Sequence, residues 1–319
     1  MSLAACLLLY SLVVAVVGPP LLVRATRRGT APRLGIATWS VAALSVVGSW
    51  VAAAGLTAVE VWHAWGETTQ LVSACTATIG ATAAGSYGPV AQAGVGVLAV
   101  LSALALTHLM LRVARSLLRA RRHSHQHSTT ARAVGHREIL GAGAVVLDAP
   151  ERAAYCVAGR PATIVVTRGA LDVLDGQQLD AVLTHERAHL AGRHHLLVAV
   201  SRALAAALPP IQLFPAAATE IARLVEMRAD DAAVRRHDGQ TVIGALLALS
   251  GDPALPVAAL GATAVGVVER IERLLVAPGR ARSAASHLSL LLAAALLSLG
   301  PALVVALLSA GAAVCDFTL

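Results

Sequence analysis

Apolar positions dominate four long stretches of the chain, at roughly residues 3–22, 36–56, 92–111 and 287–308. Each is long enough to cross about 30 Å of hydrocarbon as a helix. Between the third and fourth stretches the pattern changes. Residues 144–148 and 162–167 are short β-branched runs bounded by Pro150 and by Gly159-Arg160-Pro161, which reads as two strands joined by turns. Asp175-Gly176-Gln177-Gln178 then opens a helix along which Leu179, Val182, Leu183 and Leu190 recur at helical spacing. Residues 196–218 are almost wholly apolar again, interrupted by Arg202 and Pro209-Pro210.

Composition sharpens this picture. Of the 319 residues 57% are apolar and only 13% are charged, and the mean hydropathy is +0.71. A soluble domain averages about 25% charged residues. The balance argues against an ordinary cytosolic enzyme and against a disordered chain. At 3% aromatics, stacking on nucleic-acid bases is excluded as a main activity, and no direct nucleic-acid partner is expected. The formal charge of +7 comes with 25 basic residues, all of them Arg.

Those arginines set an orientation. Arg24, Arg27, Arg28 and Arg33 lie between the first two apolar stretches, Arg112, Arg115, Arg119, Arg121 and Arg122 follow the third, and Arg280 and Arg282 precede the fourth. Residues 57–90 and 309–319 contain none. The positive-inside rule therefore predicts both termini outside the cell membrane and the long central region in the cytoplasm. The first stretch carries its basic cluster after it, the reverse of a secretory signal, and is read as an uncleaved span. Fifteen of the 18 acidic residues fall between Glu138 and Glu272, enough chain for one domain.

The expected architecture is an α-helical membrane protein with four transmembrane helices and a cytoplasmic α+β domain. Residues 1–113 hold three spans, 114–285 the cytoplasmic domain, 286–309 the fourth span and 310–319 a short external tail. Arg121–His127 (RRHSHQH) could be a metal-binding tract. The preferred reading is a linker whose arginines meet anionic headgroups. Cys75 and Cys315, both placed outside, could pair, whereas the four cysteines form no disulfide framework.

The chemistry centres on His185-Glu186-Arg187-Ala188-His189, an HExxH motif. Residues i and i+4 share one helical face, so both imidazoles can reach one Zn²⁺. The intervening Glu186 can reach a water beside the metal and act as general base. A third ligand must come from elsewhere, and two candidates compete. His195 completes HExxHxxGxxH if the helix ends at Gly192; if the helix continues, His195 points about 240° away. The preferred candidate is Glu226, with Asp230 four residues on to accept the N–H of a ligand histidine, most naturally His185. A fifth span through 196–218 would separate Glu226 from His185 and would bury Arg202 at a cost of roughly 2.5–3.5 kcal/mol. A broken helix or re-entrant hairpin packed against the membrane bundle is expected there instead. His237 and Arg235 are candidates to stabilise the oxyanion. Strand 162–167 is expected to be an edge to which substrate adds as a further strand.

The arrangement resembles the membrane-embedded gluzincin metallopeptidases, above all the short relatives of the beta-lactam sensor-transducer (antirepressor) type, and more distantly the heat-shock membrane proteases. The resemblance rests on Val146-Leu147-Asp148, Ala154-Tyr155-Cys156, Ile164–Thr167, Leu179–His189, Glu226 with Ala229-Asp230, and Glu269–Leu275. It implies a zincin-type endopeptidase with Zn²⁺ held by His185, His189 and Glu226 and with Glu186 as base. It also implies a cytoplasmic winged-helix repressor as substrate and a role in signal transduction. About eleven residues follow the last span, so the large external penicillin-binding domain of the antibiotic sensors is not expected. Quality control of membrane proteins and a zinc-stabilised, non-catalytic signalling protein are the alternatives.

Overall fold

The computed structural model describes residues 3–65, 89–136, 144–250, 266–276 and 279–316. Helices α1 (Leu3–Thr26), α2 (Pro32–Trp65), α3 (Pro89–Val134) and α10 (Arg280–Asp316) contain the four apolar stretches. Among the described residues, four helices are long and apolar enough to cross a membrane: Leu3–Thr26, Pro32–Val59, Gly96–Val134 and Ser283–Ala306. The Arg121–His127 tract is helical, a continuation of α3 rather than a linker. Likewise α10 runs on to Asp316, through most of the expected tail. Much of the expected external loop, including Cys75, lies outside the described residues.

The central region begins with β1 (Ala144–Leu147), β2 (Ala154–Val157) and β3 (Thr163–Thr167). The sheet order is β1-β3-β2, with β1 parallel and β2 antiparallel to β3. Strand β3, expected at an edge, is therefore the middle strand and is buried throughout. The outer strands are β1 and β2, and among the described residues no strand pairs with the far side of β2, a strand that the β-branched pattern did not disclose. Thr167 Oγ1 ties the end of β3 to the carbonyls of Glu151 and Ala153 at the start of β2, and it accepts from the Ala170 amide that opens α4 (Arg168–Leu171).

Helix α5 (Gly176–Ala191) starts at a capping box: the Asp175 side chain accepts from the Gln178 amide, and the Gln178 side chain accepts from the Asp175 amide. It ends at Gly192. Arg193 then adopts a left-handed conformation (φ 49°), and α6 (His194–Ala207) sets off in a new direction. Pro209-Pro210 break the apolar run, because proline lacks an N–H and restricts the residue before it. Helix α7 (Leu213–Ala233) then returns. This α6–α7 hairpin packs on the candidate spans: Leu213, Phe214, Ala217, Ile221 and Leu224 share one core with Trp39, Val46 and Leu22 of α2 and α1. Helices α8 (Gly239–Ser250) and α9 (Val267–Leu275) close the region, α8 against α5.

Arginines join the parts. Arg223 of α7 donates to Glu220, to Glu269 of α9 and to the Thr26 and Arg27 carbonyls in the α1–α2 turn. Arg273 of α9 donates to the Gly29 carbonyl of that turn and to Asp231. Gly29 has φ +57°, a conformation side chains disfavour, and a Cβ there would lie 2.2 Å from the Met227 sulfur.

A candidate metal centre

The two HExxH histidines and Glu226 come together from α5 and α7. Their ligand atoms lie within 4.8 Å of one another, the group of this kind found among the described residues. His185 Nε2 and His189 Nε2 are 3.1 Å apart, and each is 3.5 Å from an oxygen of Glu226. Tetrahedral zinc with bonds of about 2.0–2.1 Å needs ligand atoms about 3.3–3.4 Å apart. The two 3.5 Å distances go to different oxygens of Glu226, so two imidazole nitrogens and a carboxylate fit the ion in donor type, with all three ligand atoms within 4.8 Å of one another. His185, His189 and Glu226 line a cleft of about 1100 Å³.

Asp230 is fully buried and lies 3.1 Å from His185 Nδ1, on the ring edge away from Nε2. Burial would raise its pKa, but hydrogen bonds from Arg270 and His185 outweigh burial and hold the carboxyl well below the usual range. Glu226 shifts the same way: burial opposes, and His185, His189 and Arg270 prevail. For His185, burial lowers the pKa, yet the bonds to Asp230 and Glu226 push it up to about 10. Burial moves His189 down to about 4. The two carboxylates thus favour positive charge at the point where the three ligand atoms converge.

Glu186 is buried on α5 and turned toward the edge strand. Cys156 of β2 lies beside it, close enough to favour the charged carboxylate. Burial pushes Glu186 up to about 7, against the opposing charge of His185. Burial and the neighbouring Glu186 push the Cys156 thiol up as well, so it stays protonated. Thr167 N donates to the Ala153 carbonyl, and from that pair the antiparallel register turns the backbone groups of Tyr155 and Val157 toward β3. Those of Ala154 and Cys156 face outward, toward the cleft.

The sequence reading missed two residues here. Arg270 of α9 grips Asp230 with two hydrogen bonds of 2.7 and 2.6 Å and approaches Glu226 at 3.3 Å. It stands in one of the stretches that carry the family resemblance, but nothing local gave it a role. The other is His194. The helix does end at Gly192, as the His195 alternative requires, but the tight turn directs His194 inward and leaves His195 exposed. His194 Nδ1 lies 3.0 Å from His189 Nδ1, while His195 lines the cleft and is absent from the metal-binding group. The two oxyanion candidates are not at the site. His237 faces Thr184 at 3.3 Å and Asp180 at 3.6 Å, Arg235 is exposed, and neither lines the cleft.

Residues 118–275 match the model of Peptidase family M48. The matched segment runs from the distal part of α3 through the sheet, the HExxH helix and α7 to the end of α9. It supports a zincin-type metallopeptidase, of a kind that is often membrane-associated and generally zinc-dependent. No curated protein and no solved structure matches the chain.

Proposed function

We propose that the chain is a multi-pass zinc metalloendopeptidase of the cell membrane, with both termini external and its catalytic domain on the cytoplasmic side. The observation that carries this reading is the convergence of His185, His189 and Glu226 beside Glu186 on a single cleft. The arginines that flank the candidate spans support the orientation.

His185, His189 and Glu226 would hold the ion, and Asp230 would fix the His185 ring. Zinc supplies a Lewis acid for the scissile carbonyl and makes a water more acidic. Glu186 takes a proton from the attacking water as the oxygen bonds to the carbonyl carbon, and returns it to the amine nitrogen as the C–N bond breaks. Its burial suits this role, since a carboxyl held near neutrality can both accept and donate. The outward groups of Ala154 and Cys156 offer an edge on which a substrate strand pairs, which moves strand addition from β3 to β2.

The substrate we favour is a cytoplasmic DNA-binding repressor whose cleavage releases its genes, in line with the antirepressor resemblance. The test is a Glu186→Gln chain in cells. Loss of repressor cleavage and of derepression is expected, and unchanged processing would overturn the reading. One observation favours a second substrate class, membrane proteins under quality control. Ser116, Ala120 and Ser124 of α3 line the cleft, so a candidate span forms one wall of the site. Accumulation of membrane-protein fragments or aggregates in the Glu186→Gln strain, with repressor levels untouched, would select it.

A further inference from the structure

His189 has the geometry of a ligand on one ring edge and of a donor on the other. Its Nε2 faces His185 and Glu226, and its Nδ1 faces His194 Nδ1 at 3.0 Å with the two rings perpendicular. To ligate through Nε2, His189 must keep its proton on Nδ1. His194 Nδ1 must then accept that proton's hydrogen bond, which places the His194 proton on Nε2.

We propose that His194 is a positioning residue for the metal centre: a neutral imidazole that fixes the tautomer and the ring orientation of His189, as the Asp230 carboxylate does for His185. The inference rests on the zinc reading of the site. Three features of the chain build this contact. Arg193, held in a left-handed conformation, breaks the helix directly after α5, one residue before His194. Burial takes His194 out of water, at 6% exposure. Gly192 leaves room for the ring, because a Cβ there would lie 2.3 Å from His194 Nε2 and 2.6 Å from its Cδ2. The partners of metal-bound histidines matter: their loss typically weakens metal binding about 10- to 100-fold. An imidazole acceptor brings no charge, so the centre holds its second histidine without adding a further carboxylate to Glu186, Glu226 and Asp230.

The test compares zinc affinity, by chelator competition, with the d–d absorption of the cobalt-substituted protein in wild type, His194→Leu, His194→Asp and Gly192→Ala, using the full chain in detergent. Far-ultraviolet circular dichroism of the metal-depleted forms monitors folding. His194→Leu fills the space without an acceptor and is expected to lose about 10- to 100-fold in affinity. His194→Asp restores an acceptor and is expected to recover most of it, with a cobalt spectrum close to wild type. Gly192→Ala should weaken binding in the wild-type background but not in the His194→Asp background, where no ring meets the new methyl. This comparison decides the matter even if the leucine variant fails to fold. Equal losses for leucine and aspartate, or an equal Gly192→Ala effect in both backgrounds, would reduce His194 to packing and overturn the proposal. Wild-type protein that binds no zinc would instead overturn the metal reading itself.

Discussion

Replacing Arg270 with leucine removes a guanidinium that holds two buried carboxylates, Asp230 and Glu226. Asp230 is fully buried and Arg270 is 5% exposed, so the pair is far from the solvent-screened regime in which ion pairs are worth about 0–1 kcal/mol. Two hydrogen bonds of 2.7 and 2.6 Å join them, and the Glu226 contact at 3.3 Å is lost too. Breaking a buried pair from one side costs about 3–5 kcal/mol, because the other charge is left without a partner. For a region of this size each kcal/mol moves the thermal midpoint by about 2–4 °C, so a drop of about 6–20 °C is expected. The assay is thermal unfolding in detergent, with Arg168→Leu as control. The Arg168–Asp148 pair at 3.3 Å is exposed on both sides, and its loss should move the midpoint little. The pH dependence carries a sign. Asp230 lies below its unfolded pKa of about 3.9, so its contribution is present above that pH and is lost only as the pH falls through the still lower folded value. Without Arg270 the push from burial dominates and the Asp230 pKa rises. The deficit of the variant is then greatest at neutral pH and narrows on acidification. A midpoint within about 2 °C of wild type at pH 7 would refute the argument.

Asp230→Asn weakens the acceptor for His185 and is expected to lower zinc affinity about 10- to 100-fold, measured by chelator competition. Gly29→Ala forces an L side chain into a left-handed conformation and against Met227; a loss of about 1–3 kcal/mol in stability is expected, and unfolding at the wild-type temperature would contradict it. Removing zinc with a chelator should lower the thermal midpoint, and added zinc should restore it, because an ion that binds the folded chain stabilises it by mass action.

The sequence was most legible where chemistry follows helical spacing. His185 and His189, and then Glu226 and Asp230, are i, i+4 pairs, and that periodicity alone put each pair on one face. The Asp175 cap and the break at Pro209-Pro210 were also local signals. What escaped was tertiary. Strand β3 is rich in β-branched residues whether it lies at an edge or in the middle, and only its pairing with both β1 and β2 decides. Strand β2 is four residues long and half-buried, so its pattern is weak. Arg270 lies 40 residues from Asp230, with no spacing rule to connect them. The choice between His194 and His195 turned on Arg193. An HExxHxxGxxH reading assumes that the chain swings the later histidine back, whereas the left-handed residue presents the earlier one.

The central claim is the identity of the third ligand, and zinc content tests it most directly. We would measure zinc per chain for wild type, Glu226→Ala and His195→Ala purified in the same detergent. The account predicts equal zinc in wild type and His195→Ala and its loss in Glu226→Ala. Zinc retained by Glu226→Ala and lost by His195→Ala would contradict it.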